Sequence, residues 1–210
     1  MPQLRFKNVI PCFWDCCKLW WHDWSNMVVC SLLAILASLS VFLAPVAYFG
    51  LLQTASDLSH GQRSGLGGFW GAFKAHWAKA LIWGLASLGV IGPLGAAFWI
   101  SATKPSPFGL AGLVLSAFGV WLAFTLSQLS AACFFLQEPQ ELSLSLKNAW
   151  VLLRLHPEFF LGCGLINLLL TLLSLRFYLP IFLGVEAFSA LFSILQVQRT
   201  FGKEPEPKPQ

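Results

Sequence analysis

The stretch SNMVVCSLLAILASLSVFLAPVAYFGLLQTASDLSH, residues 25–60, decides how this chain meets a membrane. Read as one helix, it is a single span; read as two helices broken at Pro45, it is a hairpin. Proline inside a helix removes a hydrogen bond, costs about 3 kcal/mol and pushes the residue before it out of helical geometry. That favours a break at Ala44-Pro45. Against it, the returning segment 46–60 is short and turns polar from Gln53 onward.

The surrounding sequence requires a bilayer. Of 210 residues, 57% are hydrophobic and only 10% are charged, against about 25% charged in a soluble domain. A single core of this size cannot hide that much apolar surface. Segments 25–43, 77–100, 108–136 and 159–175 each have the length and composition to cross about 30 Å of hydrocarbon. A fifth, 178–197, carries one acid, Glu186. No cleavable leader is expected, because Asp15, Asp23 and four tryptophans precede the first apolar run.

Charge decides between five spans and six. With five, the basic residues divide nearly evenly between the two faces. With six, Arg5, Lys7, Lys18, Arg63, Lys74, Lys79, Lys147, Arg154, Arg199, Lys203 and Lys208 share one side, and only Lys104 and Arg176 lie opposite. Cytoplasmic loops collect Lys and Arg, so six spans are expected, with both termini in the cytoplasm of a bacterial inner membrane. The net charge of +4 is therefore a topology signal, and no nucleic-acid partner is expected.

Six spans also bring a repeat into register. Trp14–Lys18–Trp20, Trp70–Lys74–His76 and Trp150–Arg154–His156 each read Trp-x3-[Lys/Arg]-x-[Trp/His]. Each precedes a long apolar stretch. The expected fold is an all-α bundle of three helical hairpins, with approximate repeats at 11–60, 66–136 and 143–198. Within the single membrane domain 1–202, each hairpin follows an interfacial amphipathic helix, at 11–24, 66–76 and 143–156. Such helices lie in the headgroup plane, with tryptophan at the acyl boundary and Lys or Arg on anionic headgroups. Trp14, Lys18, Trp70, Lys74, Trp150 and Arg154 are thus the expected lipid-interface residues. Ser143 is the expected N-cap of the third such helix. The tail 203–210 alternates Pro and charge and reads as extended.

From Trp14 to Trp83 the sequence resembles the YesL-type family of small bacterial integral membrane proteins. The matching features are the aromatic-basic segment before the first span, Leu43-Ala44-Pro45 at its end, and the run 47–52. The turn Asp57 to Gly61 and Phe69 with Ala72-Phe73-Lys74 complete the match. The resemblance covers about a third of the chain clearly and the rest in layout. It implies a polytopic membrane protein without established activity, in a family loosely associated with carbohydrate uptake. It carries no functional residues over.

Chemistry has few places to sit. Glu186 is the one acid well inside a span, and a charge at the bilayer centre costs at least about 2.5–3.5 kcal/mol. Asn167 lies at matching distance from the turn expected at 176–177, so it is the expected partner. Two readings stand: a protonated Glu186 bonded to Asn167 as interhelical glue, or a proton or substrate site. Cys12 and Cys16 with His22 allow a metal reading, but no second ligand pair follows at finger-like spacing, so no metal is expected. His22, His60, His76 and His156 all map to the interface. Small residues at Ala80, Gly84, Gly89, Gly92, Gly95, Gly112 and Ser116 read as close helix packing, with a kink at Pro93.

No His-Glu-x-x-His, Gly-x-Ser-x-Gly or Walker loop occurs, so neither catalysis nor a cofactor is expected. The leading expectation is a non-catalytic accessory or scaffold protein, partnered by lipid and by a membrane protein of a solute uptake system. The alternative is a small transporter or channel using Glu186 and Asn167.

Overall fold

The proline break is present. In the computed structural model one helix, α2 (Trp24–Ser38), ends before the break, and the next, α3 (Ala44–Ser59), carries Pro45 in its first turn. There the missing N–H would have had no intrahelical partner anyway. The structure describes residues 4–38, 40, 42–62, 66–103, 106–176 and 184–202. The expected turn at 176–177 (from Phe177 on), Arg63, Lys104 and the tail 203–210 lie outside the described residues.

Among the described residues all regular structure is helical. A 3-10 turn, Phe6–Asn8, leads into α1 (Val9–His22). After α2 and α3 come α4 (Leu66–Ala102), α5 (Pro107–Leu136), α6 (Leu142–Leu155), α7 (Pro157–Arg176) and α8 (Val185–Thr200). Three helices are long and apolar enough to cross a membrane: α4, α5 and the Pro157–Ser174 part of α7. At 15 or 16 residues, α2, α3 and α8 are only about 22–24 Å long, short of the roughly 30 Å hydrocarbon core.

The core is built around α3 and α8. Eleven of the 16 residues of α3 and twelve of the 16 of α8 are buried, whereas α4 buries only Phe69, Ala72 and Ala80. Phe49 of α3 is the aromatic hub, with ring centroids 5.3 Å from both Phe134 and Phe135 and 5.5 Å from Trp83. The polarity is inverted relative to a water-soluble bundle. Asn167, Gln196 and Gln198 are buried, while Leu85, Leu88, Leu115 and Phe108 face outward, Phe108 with 90% of its surface. Water would not tolerate such a continuous apolar flank, and lipid does.

Three expectations are corrected. The second interfacial helix is not a separate element, because 66–76 and the apolar run 77–100 form the single 37-residue helix α4. Between Phe69 and Ala80, the buried side chains hold the helix against its neighbours, and this outweighs the roughly 1 kcal/mol that each of Gly67, Gly68 and Gly71 costs. At Pro93 the helix is not interrupted, as a kink within one helix allows. Of its small residues, Gly84 meets Pro45, but Gly89, Gly92 and Gly95 have nothing within 4 Å of a built methyl and lie on an open face. The cap of α6 is Glu141 in extended geometry, so Ser143 falls inside the first turn.

The first amphipathic helix is present, and its course is specific. Residues of α1 pair with α8 in descending order: Asn8 and Asp15 with Arg199, Phe13 with Phe192 and Phe188, Cys16 with the Phe188 carbonyl, Trp20 beside Gly184. As one number rises the other falls, so the two helices run antiparallel along their whole lengths. Cys16 points into this contact and Cys12 is buried, while Ile10, Trp14 and Trp21 face out. Whatever angle α8 makes with the bilayer, α1 shares it.

Candidate functional site

The densest polar chemistry inside the bundle lies where α3, α5, α7 and α8 meet. On α8, Ser189 and Ser193 sit four residues apart and therefore on one face. Asn167 of α7 bridges them: its Nδ2 donates to Ser193 Oγ at 3.2 Å, and its Oδ1 accepts from Ser189 Oγ at 3.2 Å. Asn167 and Ser193 each retain 1% of their exposure. Ser193 Oγ lies 2.9 Å from the Ser189 carbonyl and 3.4 Å from Gln128 Oε1, and its one hydrogen serves the shorter contact. Gln128 Oε1 accepts a hydrogen bond from the Tyr48 hydroxyl of α3. Tyr48 in turn stacks on Trp83 of α4, centroids 5.7 Å apart.

Further bonds tie the same helices. Gln198 Nε2 donates to Ser59 Oγ at 2.8 Å, joining α8 to the end of α3. Ser31 of α2, fully buried, accepts from the Ala187 amide at 3.3 Å in the first turn of α8. Ser87 and Ser127 share a 2.7 Å contact between α4 and α5, and Trp83 Nε1 donates to Ser130 at 3.1 Å. These partners fix helix against helix, since a buried hydroxyl or amide in an apolar medium is costly when unmatched. None of these residues pairs a nucleophile with a base.

The sequence-derived residues separate into two groups. Asn167 lies in the network, but Glu186 does not join it. The amide of Asn167 bonds the two serines, and no hydrogen bond joins it to Glu186. Glu186 stands half-buried in the first turn of α8, after Gly184 in left-handed geometry (φ 82°), with no hydrogen-bonded partner among the described residues. Its carboxylate sits where the positive end of a helix dipole favours negative charge. Ser189, Ser193, Gln128 and Tyr48 were not singled out from sequence; the i, i+4 serines and the lone amide of α5 were the available signal.

The six interface residues are all on the surface. Trp14, Trp70 and Trp150 expose roughly half of their area or more, and Lys18, Lys74 and Arg154 are exposed beside them. Lys18 lies 4.0 Å from Asp15, and the Arg154 guanidinium lies over the Trp150 ring, 6.0 Å from its centroid. The Asp15 carboxylate, one-third exposed, pairs with Arg199. Burial raises the Cys16 thiol well above its ordinary pKa, with Cys12, Cys17 and Asp15 adding to the effect, and burial also raises Cys17. The two thiols considered with His22 face the core while His22 is exposed. Among the described residues, no three His, Cys, Asp or Glu side chains converge on one point. No family model, curated protein or solved structure matches the chain.

Proposed function

We propose that this chain is a non-catalytic, multi-pass accessory or scaffold protein of a bacterial inner membrane, serving a solute uptake system of the kind associated with the YesL-type family. The observation that carries this reading is the network of Tyr48, Gln128, Asn167, Ser189 and Ser193. Its polar groups are spent on one another across four helices. A translocation path needs polar groups that a passing solute can borrow, and this interior offers adhesion instead.

Six crossings, with α2, α3 and α8 as short spans beside α4, α5 and α7, are the accompanying topology, resting on the division of the basic residues. The antiparallel course of α1 along α8 weighs against α8 as a separate crossing, because a helix beside a crossing one would cross with it. The Arg199 guanidinium donates to the Asn8 carbonyl at 3.3 Å, joining the last described helix to the start of the first. The short spans are accommodated by local thinning of the bilayer at modest cost.

A second reading, a small transporter or channel, is favoured by one observation: the half-buried carboxyl group of Glu186 has no hydrogen-bonded partner among the described residues. Proteoliposomes loaded with labelled sugars and subjected to a proton gradient decide between the two. The scaffold reading expects no exchange above protein-free vesicles for wild type or Glu186→Gln. Exchange that is present in wild type and abolished in a folded Glu186→Gln protein would overturn it.

A further inference from the structure

Along the outer flank of α4 and α5 runs a groove of about 510 Å3, bounded by residues 82–94 of one helix and 119–130 of the other. Its twelve-residue length is about 18 Å of helix axis. Small side chains open it, notably Ala86 and Ala123. Toward the tip of the hairpin it closes, where a methyl at Gly119 would stand 3.1 Å from Leu94. The polar atoms of its floor are already matched, Ser87 with Ser127 and Trp83 with Ser130. An occupant therefore meets a surface that asks for no hydrogen bond.

The open end is of different chemistry. Helix α6 lays Leu142, Leu146 and Trp150 on the groove's rim. At 100° per residue these three span an arc of about 80°, and Arg154 and Lys147 follow within the next 60° or so. Both cations are exposed, and Arg154 lies over Trp150 itself. The rim thus passes directly from aliphatic to aromatic to cationic. We infer that the groove holds one acyl chain of an anionic glycerophospholipid, whose phosphate is met by Arg154 and Lys147 beside the Trp150 ring. The inference rests on the bilayer reading of α4 and α5.

Charge selects this occupant over a helix of a second copy. The groove lies within the 300–1,000 Å3 range typical of small-molecule sites. The cationic rim asks for an anionic head, and an apolar trough alongside membrane-crossing helices is filled by a lipid tail.

Full-length protein, purified in mild detergent and titrated with phosphatidylglycerol or phosphatidylcholine under native mass spectrometry, tests the site. Wild type should retain one phosphatidylglycerol, with about a thirtyfold preference over phosphatidylcholine from its two cations at about 1 kcal/mol each. Arg154→Gln with Lys147→Gln should erase the preference but keep occupancy. Ala86→Phe with Ala123→Phe should lose both lipids while keeping wild-type helical content. A filled-groove protein that binds like wild type overturns the site, as does a folded wild type that retains neither lipid. So does a dimer cross-linked through position 123 that excludes lipid. Should the filled variant fail to fold, phosphatidylglycerol carrying a mid-chain diazirine can be photolysed on wild type. Attachment within 82–94 and 119–130 supports the site, and attachment spread over the whole outer surface refutes it. Exchange that depends on Glu186 would sink the scaffold reading and leave these lipid measurements unchanged.

Discussion

The ring of Pro45 lies directly against the bare backbone of Gly84, leaving no room for a side chain between α3 and α4. The residue that breaks the first hairpin is thereby also the knob that seats the second. Proline is rigid, so a β-carbon at position 84 has to displace a helix. Gly84→Val should destabilise the protein by about 1–3 kcal/mol, the usual cost of overpacking. Gly92→Val, on the open face of the same helix, should stay within about 0.5 kcal/mol. Thermal unfolding of the two variants in one detergent separates them, and equal losses would contradict the contact.

Asn167 should matter for cohesion. Asn167→Leu removes two bonds between α7 and α8. At about 0.6–1.7 kcal/mol for each interhelical bond in a membrane protein, the loss is roughly 1–3 kcal/mol. Thr171→Val removes only a bond to the Asn167 carbonyl within α7 itself and should cost far less. Denaturation monitored by tryptophan fluorescence makes the comparison, and a larger loss for Thr171→Val would refute the network's role.

The thiols of α1 should differ in reactivity. Maleimide reacts with thiolate, and desolvation raises both Cys16 and Cys17, so less thiolate is present near neutral pH than for a free cysteine. Labelling of half-exposed Cys17 should therefore be slow near neutrality and accelerate as the pH rises toward its elevated value. Cys16 should remain unmodified until the protein unfolds. Mass mapping after timed labelling reads both sites. Rapid labelling of Cys16 in folded protein would show that α1 does not hold to α8.

Topology is open to direct test at two described positions. With the native cysteines replaced, Thr103→Cys should label with an impermeant maleimide in intact spheroplasts, and Gly202→Cys should label only after lysis. Labelling of both from outside would mean an odd number of crossings. The opposite pattern would reverse the orientation.

Where a residue's covalent chemistry dictated structure, the sequence was readable. Pro45 cannot continue a helix, and α3 starts there. The tryptophans and cations of the aromatic-basic repeat are exposed, Trp14 beside Lys18, Trp70 beside Lys74 and Trp150 beside Arg154. What escaped depends on tertiary packing. Gly67, Gly68 and Gly71 argued for a break, but Phe69 and Ala72 are buried and keep α4 whole. Trp20 of α1 could not announce that it faces Gly184, 164 positions later in the chain. Serine is common in apolar helices, where it bonds its own backbone, so Ser189 and Ser193 became informative only beside Asn167. Glu186 attracted notice as a charge, yet the network joining α3, α5, α7 and α8 is made of neutral side chains.

The continuity of α4 has a mechanical consequence. Thirty-seven residues in one helix make a rod of about 55 Å, well beyond the roughly 30 Å of hydrocarbon it meets. Lys74 rides near one end of that rod, and Trp99 near the other, with Pro93 between them. The excess length is taken up by tilt, by a bend at Pro93 or by helix lying outside the hydrocarbon.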